Sequence, residues 1–306
     1  MSILVSLGPL LAALILGFSL HIKSLSNTSI DGALKWLTFA MLGMIGYEIG
    51  GLENLQVKLY QAGYIAIVIS GLLLLFNVVF LTLSGRFLNK PSAAQVEVGK
   101  IDIPFSWSTF SDSIQTVAWV LIGALIGYLT EGAFHQVGAV VTWMLYLLLF
   151  LIGQQLHRAN YKLRSLFLNV QGLIICFVTV ISTLLAGLVG AWFLELPLFH
   201  GMAVVSGFGW YSLSGIILSD LGYPLLGTTA FLLDIGREVF ALMAIPLLSK
   251  INSHVSVGYS GATAMDFTLP MLGKFHGAAI IPTSIASGFV MSMLVPIFMP
   301  LFISLA

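Results

Sequence analysis

Apolar runs recur along this chain at about residues 3–20, 33–50, 62–84, 114–130, 138–155, 169–194, 225–248 and 278–303. Each is roughly as long as the ~20 helical residues that a 30 Å hydrocarbon core requires. Backbone N–H and C=O groups find no water inside a bilayer, so such runs must satisfy them internally as helices. The chain therefore reads as an all-α polytopic membrane protein, with the lipid bilayer as its main partner. Stretches 201–219 and 256–272 are also apolar but broken by Gly, Ser, Thr and Pro. They leave the count at eight to ten transmembrane helices.

Composition agrees. Of 306 residues, 58% are hydrophobic and 8% charged, against about 25% charged in soluble domains. Twelve Lys and Arg balance twelve Asp and Glu, so no net charge invites a nucleic acid. The lone Cys176 excludes an intramolecular disulfide and a thiolate metal cluster. Met1-Ser2-Ile3-Leu4 carries no basic leader and no small-residue cleavage site, so the first run is expected to stay as an anchor.

One run breaks the apolar rule. Asp234, Arg237 and Glu238 lie in the middle of 225–248. Each charge at a bilayer centre costs roughly 2.5–3.5 kcal/mol on insertion scales. Spacings of three and four put all three on one helical face. Such a cluster persists where its members pair, face a watery cavity or handle a charged solute, which points to transport. Arg237 can bridge to a carboxylate, leaving an acid free to take a proton or hold an ammonium.

The longest polar connection, 85–113, holds Arg86, Lys90, Pro91 and Lys100. It separates an N-terminal three-helix unit, 1–84, from a second one, 114–194, and a transport core, 195–306. With the N-terminus outside and both broken stretches re-entrant, Lys23, Lys35, Arg86, Lys90, Lys100, Arg158, Lys162, Arg164, Lys250 and Lys274 all fall inside. Lys58 alone falls outside, with Arg237 in the membrane. That bias follows the positive-inside rule and places both termini outside. Full crossing by both stretches moves only Lys250.

Two internal repeats are expected. Residues 12–18 echo 121–128, and Met44-Ile45-Gly46 echoes Leu151-Ile152-Gly153. A unit with three crossings must recur upside down, the inverted topology of many secondary transporters. An offset of 54 matches Ser206-Gly207 with Ser260-Gly261, Thr229 with Thr283, and Pro246-Leu247 with Pro300-Leu301. In both copies a Gly-rich break and a polar turn precede a span with Pro near its end.

The breaks carry the candidate chemistry. Gly207, Phe208, Gly209, Trp210, Tyr211, Ser212 and Ser214 form a Gly/Ser-rich first break, and Thr263, Asp266 and Thr268 lie in the second. Opened backbone at membrane depth is tolerated only inside protein or beside a water-filled cavity. Half-helix N-termini then offer donors to an anion, and C-termini offer carbonyls to a cation. Together with Asp234 and Arg237, these residues are the expected substrate site, able to cradle a zwitterion. Tight packing of small residues is the plainer alternative.

Glu48 and Glu53 flank Gly50-Gly51 at a span end. Glu131, Glu195, His135 and His200 read as interfacial, and Trp36, Trp143, Trp192 and Tyr161 as membrane-interface anchors. The chain has no HExxH, GxSxG or Walker loop and no Cys/His metal spacing, so neither cofactor nor metal is expected. Ser212-Leu213-Ser214-Gly215 loosely matches the serine motif of intramembrane proteases, which keeps a membrane-embedded serine hydrolase as the alternative from another class.

The blocks Ala203–Ile216, Asp234-Ile235-Gly236-Arg237-Glu238 and Gly261–Pro270 resemble the LysO family of bacterial lysine exporters. Leu52-Glu53-Asn54-Leu55 stands at its Leu-acid-Asn-Leu element, with Glu53 in place of Asp. The resemblance implies an inner-membrane exporter of L-lysine and thialysine with external termini, and essential acids at Glu53 and Glu238. The family is also grouped with the cation/proton antiporters and anion transporters. With no ATP-binding loop, the expected energy source is an ion gradient, H⁺ entering in exchange through Glu53 or Glu238. A sodium/proton antiporter or organic-anion carrier on the same scaffold stays open, as does self-association into an oligomer.

Overall fold

The computed structural model describes residues 9, 12, 13, 15–20, 27–51, 55–88, 108–134, 136–158 and 169–306. Glu53, His135, Tyr161, much of the first apolar run, most of the linker 85–113 and residues 159–168 lie outside the described residues. Among those described, the structure is helical and contains no strand. The long helices are α1 (Asn27–Gly50), α2 (Leu55–Leu88), α3 (Ser108–Leu129), α4 (Val137–Arg158) and α5 (Val170–Phe193). Two short helices follow, α6 (Leu198–Val205) and α7 (Tyr211–Asp220), then the long α8 (Pro224–Leu248). Next come α9 (Ser253–Ser260), a 3-10 turn (Gly261–Met265), α10 (Leu269–His276) and finally α11 (Ile281–Leu305).

Three stretches, Leu55–Phe87, Val170–Phe193 and Ile281–Leu305, are long and apolar enough to cross a membrane. The 25 residues of α8 reach about 37 Å at 1.5 Å per residue, with the charge cluster halfway. Trp36, Trp143 and Trp192 are exposed.

Local chemistry sets the helix ends. Asn169 Oδ1 caps α5 by accepting from Gly172 N at 2.8 Å, and Asn252 Oδ1 caps α9 through Val255 N at 2.9 Å. Each satisfies a donor that the first turn leaves without an intrahelical partner. Pro224 opens α8, where a missing N–H costs nothing. Gly222 (φ 91°) and Gly277 (φ 80°) turn the chain in the left-handed region that suits glycine.

Small residues set the close contacts. Parallel helices α1 and α3 meet so tightly at Gly46 and Gly123 that a Cβ there would strike the Val120 and Gly43 backbones. This is how membrane helices gain packing without a hydrophobic drive between them. Antiparallel helices α2 and α5 share a buried polar pin. Asn77 Nδ2 donates to Thr183 Oγ1 at 3.3 Å, and Ser182 Oγ donates to Asn77 Oδ1 at 2.9 Å. Interhelical bonds of this kind contribute about 0.6 kcal/mol on average. One apolar core runs from Met41 and Ile69 through Leu145 and Val205 to Phe231 and Val295.

Both broken stretches double back. Down the face of α5, α6 returns with Gly201 against Gly187 and Ala191. Then α7 runs antiparallel to the first half of α8, placing Gly215 against Phe231 and Ser219 against Gly227. His200 at the start of this hairpin stacks on Tyr223 at its end, ring centroids 5.2 Å apart. The second hairpin begins at the far end of α8, where Asn252 lies against Gly85 and His254 Nδ1 is hydrogen-bonded to Ser84 Oγ at 2.9 Å. It returns through α10 to the same end, with Gly273 beside Ile281. The two tips therefore enter the bundle from opposite ends.

Candidate functional site

The tips meet at the level of the charge cluster. Ala262 N of the second tip donates to Phe208 O of the first at 2.8 Å. Phe208 (φ 48°), Gly209 (φ 97°) and Gly261 (φ 66°) all hold left-handed backbone here. A Cβ on Gly261 would strike Phe208 O, so this crossing requires glycine. For the non-glycine Phe208 that conformation is uncommon, and such positions cluster at functional sites.

Helix α8 passes alongside. Asp234, Arg237 and Glu238 are 0%, 2% and 1% exposed, so the shared face expected from their spacing is turned into the protein. Asp234 Oδ1 accepts from Gly209 N at 2.8 Å in the first tip. Ser214 faces the same carboxylate, and Gly207 lies against it. Arg237 Nε donates to Tyr259 O at 2.8 Å and Nη2 to Gly258 O at 3.0 Å, both in the second hairpin. Its guanidinium also sits 5.6 Å from the Tyr259 ring centroid. Arg237 thus donates to two carbonyls and has a longer-range attraction to Asp234.

Beside the crossing lies a cavity of about 160 Å³, lined by Ile152, Trp210, Ala262, Thr263, Met265, Asp266, Phe289, Ser292 and Met293. It is smaller than the roughly 300–1,000 Å³ that holds drug-sized ligands, a scale suited to a small metabolite. Asp266 is solvent-accessible here although it stands at the tip of the second hairpin. Its Oδ1 accepts from Phe267 N at 2.6 Å. Thr263 Oγ1 donates to Ser260 O and Thr268 Oγ1 to Thr263 O, which knits the turn that presents the carboxylate.

Of the expected site residues, Trp210, Thr263 and Asp266 line the cavity. Gly207, Phe208, Gly209, Ser214, Asp234 and Arg237 build the crossing behind it. Tyr211 is buried against Phe231, its ring centroid 6.1 Å away, and is not a lining residue. Ser212, Thr268 and Glu238 are likewise outside the lining. Glu53 lies outside the described residues. Phe289, Ser292 and Met293 were not foreseen. Their one sequence signal is Gly288 four residues before Ser292, the small-residue spacing that lets α11 approach the second tip. A Cβ on Gly288 would meet Ala262 O and Met265 N. Asp220 was also missed; it closes α7 and accepts a hydrogen bond from Thr142 Oγ1.

A family model described as lysine exporter LysO matches residues 117–303, which include both tips and α8. The chain is 34% identical over 294 residues to a protein of Escherichia coli K12 named Lysine exporter LysO, covering 96% of this chain and 97% of that one. The chain belongs to the LysO family. It is also 36% identical over 185 residues to a putative lysine exporter of Haemophilus influenzae, covering 60% of this chain and 95% of the relative. No solved structure matches it. Membership makes this LysO-family chain a transporter rather than an enzyme, and the serine-hydrolase alternative falls.

Proposed function

We propose that this protein is a secondary-active exporter of L-lysine, and of its analogue thialysine, across the bacterial inner membrane. The observation that carries the reading is the solvent-accessible Asp266, set with Trp210, Phe289 and Met293 around one small cavity at the crossing. A carboxylate among aromatic and thioether groups suits an ammonium on an alkyl chain, through charge-assisted bonding and cation–π attraction. The names of its relatives agree with that chemistry. Asp266 receives an ammonium group, Trp210 and Phe289 pack on the methylenes, and Thr263 and Ser292 supply hydroxyls. The substrate carboxylate is met beside Trp210, where the first break reaches the cavity and α7 starts.

In this reading the two hairpins are re-entrant, the three-helix units 1–84 and 114–194 are inverted repeats, and both termini are periplasmic. The opposed hairpins liken the fold to that of the cation/proton antiporters and anion transporters. The coupling ion is H⁺, with Glu238 and Glu53 as its carriers. Radiolabelled lysine counterflow in proteoliposomes, with and without an imposed pH gradient, tests both parts. Counterflow without any response to the gradient rejects the proton, and absence of counterflow rejects lysine. A Glu238→Gln variant that kept full, pH-responsive efflux would remove Glu238 from the coupling role.

A further inference from the structure

We propose that Asp234 and Arg237 act as two separate helix-end clamps, which hold the tips of the opposed hairpins in register and so set the walls of the cavity. Each clamp meets the end whose charge it complements. A helix carries about +0.5 charge at its N-terminus and −0.5 at its C-terminus, concentrated on N–H and C=O groups without intrahelical partners. Asp234 sits against Gly209 N and Ser214, at the entry to α7. Arg237 sits against the carbonyls of Gly258 and Tyr259, in the last turn of α9. The anion lies beside an N-terminal end, on the turn just before α7 and on Ser214 in its first turn, and the cation meets C-terminal carbonyls.

The two clamps lie three residues apart on one rigid helix, so they fix one tip relative to the other. The loop closes through Ala262 N and Phe208 O. Trp210 follows Gly209 on the first tip, while Thr263 and Asp266 follow Ala262 on the second, and all three line the cavity. Asp234 and Arg237 are not lining residues. They are positioning residues, which act on substrate through the tips they hold.

An ordinary ion pair and a pair of clamps respond oppositely to exchange of the charges. In a double variant Asp234→Arg/Arg237→Asp, an ion pair is re-formed. Clamps would instead put a cation on the N-terminal end of α7 and an anion on the carbonyls of α9. Lysine counterflow is measured for D234N, R237Q, R237K and the exchange variant, with monodispersity in detergent as the folding control. The assay rests on the lysine-export reading, and absent counterflow by the unmodified protein would be that reading's failure alone.

We expect R237Q and D234N each to raise the KM for lysine about tenfold or more, because each loosens a tip that carries cavity-lining residues. Arg237→Lys, which keeps the charge at the carbonyls, should fold and recover most of the affinity. The exchange variant should transport less than either single variant, or fail to fold. Recovery of transport by the exchange variant above both single variants would overturn the proposal. So would an R237K variant that is monodisperse yet no better than R237Q.

Discussion

Asp266 is the acid we propose for substrate binding, because of Asp234, Arg237, Glu238 and Asp266 it alone lines the cavity. A charge-assisted hydrogen bond contributes about 1.5–3 kcal/mol. Asp266→Asn should therefore raise the KM for lysine about 10–100-fold in counterflow. Norleucine, which lacks the ε-ammonium, should fail to compete in the unmodified protein; equal competition by norleucine would disconnect Asp266 from that ammonium. At this scale the sequence was legible for identity and illegible for direction. It flagged Trp210 and Tyr211 together, yet one lines the cavity and the other packs on Phe231. Within a break with left-handed Phe208 and Gly209, neither a 3.6-residue nor a two-residue period tells neighbouring side chains apart. Arg237 was equally opaque. Its spacing showed that it shares a face with two acids, but the carbonyls that take its donors come from a segment 21 residues further along.

At the scale of elements, glycine does two different tasks. In α1 and α3 it removes bulk so that backbones can touch. Gly123→Leu would drive a side chain into the Gly43 backbone, which has no flexible end to move aside. Overpacking of this kind costs about 1–3 kcal/mol, so the thermal midpoint in detergent should fall while the lysine KM of surviving protein stays unchanged. At Gly261 glycine instead supplies a positive φ and room for Phe208 O. Gly261→Ala should impair lysine counterflow by at least tenfold, with a smaller effect on stability, because it displaces the tip that carries Thr263 and Asp266. The breaks themselves were plain in the sequence, since Gly, Ser and Thr interrupt the apolar runs. Their doubling back was not. The first hairpin spans Leu198–Asp220, about the length of a full crossing, and hydropathy counts residues without showing where they turn. What settles the turn is contact between distant residues, such as His200 with Tyr223.

For the whole molecule, hairpins that return to their own side fix the relation between every loop. The turn after α8, at Lys250 and Ile251, then lies at the opposite end from Leu198 and from the C-terminus. Charge counting is compatible with this arrangement without choosing it, because Lys250 is the one cation whose side depends on the hairpins. Full crossings would move Lys250 to the outside. Cysteine labelling separates the two. The single native Cys176 is buried and gives a low background. Leu198 and Leu305 are exposed apolar positions, and Lys250 is an exposed turn position. In intact spheroplasts, a membrane-impermeant maleimide should modify Leu198→Cys and Leu305→Cys but reach Lys250→Cys only after lysis. Labelling of Lys250→Cys before lysis, with Leu198→Cys also labelled, would mean that residues 198–220 cross the bilayer, and the opposed-hairpin architecture would have to be abandoned.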